Sequence, residues 1–155
     1  MNKTKMNKTN MKVKRVLENA IIPTYGTDFS AGADLYALVD NENNMMEIPS
    51  GETRFVHTGI AVEIPEGYVG LIYARSGLSC KCGLGLANSV GVIDSDYRNE
   101  IIVALHNYSK ESRYITTSDR IAQFIIQPIQ QIDFKVVDDL SDTVRGGGGF
   151  GSTGK

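Results

Sequence analysis

Residues 54–74 read RFVHTGIAVEIPEGYVGLIYA. Two runs rich in Val, Ile, Phe and Tyr, Arg54 to Ile64 and Tyr68 to Ala74, flank Pro65-Glu66-Gly67. Branched and aromatic side chains suit a pleated surface, while Pro and Gly two apart are turn chemistry, so the stretch reads as strand, turn, strand. The pattern continues outward through Glu100 to Asn107 and Ile121 to Ile126, with turn signals at Pro49-Ser50-Gly51 and in the polar stretch Asn107 to Ser112. No long segment shows helical periodicity. Short strands broken by turns from Val13 onward predict an all-β sandwich or barrel. One short helix is predicted after Arg75, with Ser76 capping Gly77 to Cys82 and Gly83 ending it.

A length of 155 residues suits one domain, and 22% charged with 41% hydrophobic residues is ordinary for a globular chain. With 16 Lys and Arg against 18 Asp and Glu, the net charge of -2 lacks the basic footprint of a binder of nucleic-acid polymers, so any phosphate chemistry is local. There is no apolar run of membrane-spanning length, and MNKTKMNKTN lacks the apolar middle of a signal peptide, so a cytoplasmic protein with no membrane partner is expected. Residues 1–11 repeat MNKT and read as a disordered leader in which Met6 or Met11 could equally be the start, 12–144 as the folded unit, and 145–155 as a flexible glycine-rich tail. Cys80 and Cys82 are too few for a disulfide framework or a zinc site and are expected to be buried free thiols. His57 and His106, the two histidines, lie in strand patterns and are expected to be structural.

The chemistry gathers in Gly91 to Arg98, GVIDSDYR, where an apolar approach delivers two carboxylates, a tyrosine and an arginine. Alternation in an extended segment would put Asp94 and Asp96 on one face and Ser95 on the other; an ordinary turn fits the same residues equally well. Arginines at 75, 98, 120 and 145 each stand beside a turn, a glycine or a carboxylate, as expected if several converge on an anion. Arg75-Ser76-Gly77 opens the expected helix, whose free N–H groups suit a phosphate. Gly149 to Lys155 begins like a P-loop, but no Ser or Thr and no helix follow Lys155, so a tail that closes over a nucleotide suits these residues better.

Five segments taken together resemble the trimeric deoxyuridine triphosphatases: AGADLYA from Ala31, ARSGLS from Ala74, GVIDSDYRNEI from Gly91, DRIAQFII from Asp119, and the RGGGGFGSTG tail from Arg145. The resemblance implies a distorted jelly-roll β-barrel with one short helix, a homotrimer with active sites shared between subunits, and hydrolysis of dUTP to dUMP and pyrophosphate. That reaction keeps uracil out of DNA and supplies dUMP. It further implies that Asp94 activates water against the α-phosphate. Asn88 and the backbone of Gly91, Val92, Ile93, Asp94 and Tyr97 would form a hairpin that reads uracil, with the Tyr97 ring excluding a ribose 2′-OH. Phosphate contacts would fall to Arg75, Ser76, Gly77, Gln123, Arg145, Phe150, Gly151, Ser152 and Thr153; the aromatic face of Phe150 by itself also suits stacking on the base. Mg²⁺ would be held by phosphates and water, with Asp34 acting through that water.

Two positions depart from the family's pattern: Asn99 and Ser118 stand where glycine is usual. Asn tolerates a positive φ and is expected to keep the turn, while Ser118 is expected to shift Arg120 slightly. Two other functions fit less well. A dCTP deaminase-like enzyme would use a glutamate at the position of Asp94, and a nucleotide-gated regulatory protein would not need every catalytic position filled. A second role could still sit on the leader or on Val39 to Glu47.

Overall fold

The computed structural model describes residues 10–149. Its strands are β1 (Lys12–Arg15), β2 (Thr24–Tyr25), β3 (Ala33–Tyr36), β4 (Met45–Ile48), β5 (Thr53–His57), β6 (Ile60–Glu63), β7 (Tyr68–Ala74), β8 (Leu84–Leu86), β9 (Gly91–Ile93), β10 (Ile102–Asn107), β11 (Arg113–Thr116) and β12 (Arg120–Pro128). One helix, α1 (Ser76–Cys82), lies between β7 and β8. A five-stranded sheet runs β2-β3-β12-β7-β9, a three-stranded one β5-β10-β8, and β1-β6 and β11-β4 are pairs; every ladder is antiparallel. Together they form the expected jelly-roll barrel with its one short helix.

The core follows from alternation. Along β10, Val103, Leu105 and Asn107 are buried between more exposed neighbours, and Val103 and Leu105 join one apolar cluster with Leu35, Val56, Ile60 and Ile101. Asn107 is fully buried, yet its amide donates to the carbonyls of Ile48 and Glu111 while its Oδ1 accepts from Ser109, so it organises the following turn without an orphaned group.

The run Arg54 to Ile64 is not one strand. It breaks at Thr58-Gly59, where Gly59 takes φ 69° and packs so closely that a Cβ would lie 2.7 Å from the Ala20 Cβ. The chain there leaves the three-stranded sheet and pairs with β1. Apolar residues continue on both sides of the corner, so composition does not reveal it. Tyr68 to Ala74 is a strand as expected, and Gly70 within it leaves space for the Phe124 ring from β12.

Helix α1 begins one residue earlier than expected. Arg75 is the N-cap residue, Ser76 is already helical and no side chain caps the start, whereas Gly83 ends the helix at φ 70° as expected. Cys80 is exposed and Cys82 half-buried, so the free thiols are not the core residues anticipated. Asn99 is not among the positive-φ residues; Ser118 is, at φ 77°. The β11–β12 turn holds it there, with Ser118 N–H on the Ala37 carbonyl and the Asp119 carboxylate accepting from Thr116 N–H and Oγ1.

The last ladder closes at Pro128, and 130–149 then run outside any sheet, with Phe134, Val136 and Leu140 in solvent.

A serine in the left-handed region costs roughly 1–2 kcal/mol, partly offset on replacement by the backbone entropy of glycine. Ser118→Gly is therefore expected to raise stability by about 0.5–1 kcal/mol, read as a higher urea midpoint at unchanged slope. A lower midpoint would show that the serine side chain contributes more than its backbone costs.

Candidate active site

The outer face of the five-stranded sheet carries the polar row. Asp34 on β3 stands directly opposite Gln123 on β12, and Gln123 opposite Tyr73 on β7. Arg120 and Gln123 are three residues apart, which in a regular strand would send them to opposite faces. A bulge between Arg120 and Ala122 removes the conflict: Ile121 and Ala122 both point inward, and Arg120 returns to the face of Asp34. Gly32 lies over the row, where a Cβ would come within 3.1 Å of the Gln123 Cβ. Sequence reading had not marked Gly32; its place in AGADLYA, two residues before Asp34, was the available signal.

Asp34 is only 5% exposed and is held by two guanidiniums. Arg75 Nε donates to its Oδ1 at 2.8 Å and Arg120 Nη1 to its Oδ2 at 3.2 Å. Arg75 Nη1 also donates to the Arg120 carbonyl at 3.1 Å, tying the end of β7 to β12. Beyond Arg75, Ser76 and Gly77 are exposed, and a Cβ on Gly77 would meet nothing within 4 Å. The N–H groups of a first helical turn have no partner within the helix, so they face open space here.

The four arginines do not all converge. Arg98 Nη1 donates to the carbonyls of Ser95 and Tyr97 in its own loop, and Arg145 Nε to the Gly148 carbonyl. Arg75 and Arg120 form the one shared cluster among the described residues.

Asp94 sits elsewhere. Strand β9 ends at Ile93, and Tyr97 N–H bonds the Asp94 carbonyl at 3.2 Å, so Asp94 to Tyr97 is a turn with Ser95 and Asp96 at its corner. That replaces the extended segment with both carboxylates on one face. No ladder joins β8 to β9: β9 pairs with β7, and β8 with β10. Asn88, exposed, lies in the link between them, followed by Ser89 at φ 61°. Gly91 is buried against Ile72, where a Cβ would lie 3.0 Å from the Ile72 Cβ, and Val92 is 63% exposed. The Tyr97 hydroxyl donates to the Glu100 carbonyl.

The two groups occupy opposite ends of one strand. Ile93 pairs with Gly70, and Arg75 follows five residues later, so at about 3.3 Å per residue the backbones of Asp94 and Arg75 are about 16 Å or more apart. Phe150, Gly151, Ser152 and Thr153 lie outside the described residues.

A jelly roll in which Arg120 on a bulged strand and Arg75 at an uncapped helix start share one carboxylate, with a second carboxylate on a separate turn, defines an all-β protein with a cationic edge. The family model described as dUTPase matches residues 18–154. The chain is 46% identical to the deoxyuridine 5'-triphosphate nucleotidohydrolase of Nautilia profundicola over 145 residues, 94% of this chain and 99% of that one. It is 45% identical to its namesake in Desulfitobacterium hafniense over 152 residues, 96% of this chain and 99% of the other. Among solved structures it resembles a dUTPase mutant of Staphylococcus bacteriophage 80alpha with dUpNHpp (TM-score 0.84, 28% identity, 96% of this chain and 100% of that one). It also resembles a mutant dUTPase from phage phi11 of S. aureus that coordinates a structural Mg(II) ion (TM-score 0.76, 26% identity, 86% and 100%). The chain belongs to the dUTPase family.

Asp34→Ala would leave two like charges facing each other over a buried cavity. It is expected to lower stability by about 2 kcal/mol, less than for a fully buried pair because Arg120 is half exposed. Denaturant unfolding checks this, and an unchanged midpoint would remove Asp34 from its structural place.

Proposed function

We propose that the chain hydrolyses dUTP to dUMP and pyrophosphate in a homotrimer whose active sites are shared between subunits. The observation that carries the reaction is the family match over residues 18–154, which includes the Asp94 turn, the Arg75 helix start and most of the glycine tail. The shared site draws support from the separation along β7: within one chain, Asp94 lies farther from Arg75 than an arginine side chain reaches, so a second copy would supply the missing half. The exposed arm beyond Pro128, with Phe134 95% exposed, is a further surface for a neighbouring copy to cover.

In this reading Asp94, exposed at the head of its turn, orients a water toward the α-phosphate and takes its proton. Attack there releases pyrophosphate. The backbone of Gly91, Val92, Ile93 and Asp94, with Asn88 beside it, pairs with uracil, and buried groups left mispaired by cytosine would reject it. Tyr97 lies against the deoxyribose. Arg75, Ser76, Gly77 and Gln123 receive the phosphates, and Arg145, Phe150, Gly151, Ser152 and Thr153 close over them as the tail. Phosphoryl transfer depends mostly on positioning and charge neutralisation, so the arginines contribute more than the base.

Mg²⁺ belongs to this chemistry. Among the described residues no three acidic, His or Cys side chains cluster to hold a metal, and each oxygen of Asp34 is engaged by an arginine. This donor set fits an ion held by phosphate oxygens and water, with Asp34 using its remaining lone pairs toward that water. When bound, the ion neutralises phosphate charge.

The division into leader, barrel and closing tail, and a cytoplasmic location, complete the reading. No helix among the described residues is long and apolar enough to cross a membrane.

Protein with Mg²⁺ is expected to release pyrophosphate from dUTP and leave dCTP, dTTP and UTP nearly untouched; ammonia released from dCTP would overturn this. Asp94→Asn is expected to bind nucleotide normally and turn over at least about 10²-fold more slowly. Deleting 145–155 is expected to abolish hydrolysis while the trimer persists by size-exclusion and light scattering; loss of the trimer would show that the tail holds the assembly rather than the substrate.

A further inference from the structure

The Glu100 carboxylate joins the Asp94 loop to the corner between β5 and β6. Its Oε1 accepts from the N–H groups of Gly59 at 2.7 Å and Thr58 at 3.2 Å, and its Oε2 meets His57 Nδ1 at 2.8 Å. An ionised carboxylate only accepts, so the His57 Nδ1 carries the hydrogen. The next residue is fastened to the same corner: Ile101 N–H bonds the Ile60 carbonyl at 2.8 Å, and the Thr58 hydroxyl donates to the Ile101 carbonyl at 2.5 Å. The corner is itself rigid, since Gly59 packs between Ala20 and Leu38 with no room for a Cβ. The main chain at Glu100 is therefore among the best-held points of the loop.

The Tyr97 side chain is tied to that point. The residue is 37% exposed, and its hydroxyl makes its one side-chain hydrogen bond to the Glu100 carbonyl at 2.8 Å. Arg98 braces the intervening turn through the Ser95 and Tyr97 carbonyls and makes no hydrogen bond to the Tyr97 hydroxyl. An exposed tyrosine with one anchor takes its orientation from that anchor.

We propose that Glu100 is a positioning residue for sugar selection: its carboxylate fixes the Glu100 main chain, the main chain holds the Tyr97 hydroxyl, and the ring so held excludes a 2′-hydroxyl. The inference rests on the dUTP reading above and adds to it a residue that does not touch the nucleotide. His57 supports the arrangement from β5 by occupying the second carboxylate oxygen.

The test is the ratio of kcat/KM for dUTP to that for UTP in intact protein with Mg²⁺. Glu100→Ala is expected to narrow this ratio at least about tenfold, since small displacements of a positioned group have effects of that order or more. Glu100→Gln, whose amide oxygen still accepts from Thr58 and Gly59, is expected to keep most of the selectivity. Tyr97→Phe, which removes only the hydroxyl, is expected to narrow the ratio too. The double variant Glu100→Ala with Tyr97→Phe should be no less selective than Glu100→Ala alone, because both act through one ring. An unchanged ratio in Glu100→Ala, or effects that simply multiply in the double variant, overturns the proposal alone. Wild-type protein that leaves dUTP intact overturns it together with the proposed function. If Glu100→Ala does not fold, Glu100→Asp replaces it: drawing the main chain toward the corner should narrow the ratio, and an unchanged ratio overturns the inference.

Discussion

A buried carboxylate between two guanidiniums organises this molecule. Asp34 joins β3 to the end of β7 through Arg75 and to the start of β12 through Arg120. Burying such a charge is costly unless it is paired and hydrogen-bonded, and here both oxygens are engaged. The arrangement also acts on the arginines. Arg75 is held by a short charge-assisted bond and Arg120 by a longer one, so the remaining donors of both are already oriented. The same contact that closes the sheet thus prepares a cationic rim beside an uncapped helix start.

That rim depends on a backbone irregularity. Only the bulge between Arg120 and Ala122 lets Arg120 share a face with Gln123 while Ile121 and Ala122 fill the core. The strained φ of Ser118 lies just before it, and the turn that forces this strain is held by Asp119 and Ala37. Such strain is tolerated where the surrounding contacts over-determine the backbone. The Asp94 turn, toward the other end of β7, has a comparable support where Glu100 gathers three donors at the β5–β6 corner.

Some of this was legible from composition and spacing. Tyr68 to Ala74 reads as a strand because Val, Leu, Ile and Tyr follow turn chemistry, and Gly83 reads as a helix stop because glycine alone accepts its φ without cost. Other features were misread for identifiable reasons. Arg54 to Ile64 conceals a corner because strand-forming residues stand on both sides of Thr58-Gly59. Cys80 reads as a core thiol by residue type, but the helix turns it to solvent. Arg98 looked like an anion ligand because a charge near carboxylates can equally brace its own loop, and it does so through two carbonyls.

By itself the sequence determined the all-β class, the helix after Arg75 and the order of the dUTPase motifs that carry Asp34, Arg75 and Asp94. These are properties of local chemistry and order along the chain, and they survive without coordinates. Tertiary structure decided which of those residues meet. Register and one bulge bring Asp34, Arg75 and Arg120 into contact across more than eighty positions, while the pairing of β9 with β7 sends Asp94 to the far end of the same strand. Side-chain direction in a sheet alternates with every residue, so a single inserted residue or a change of pairing partner redirects a whole segment.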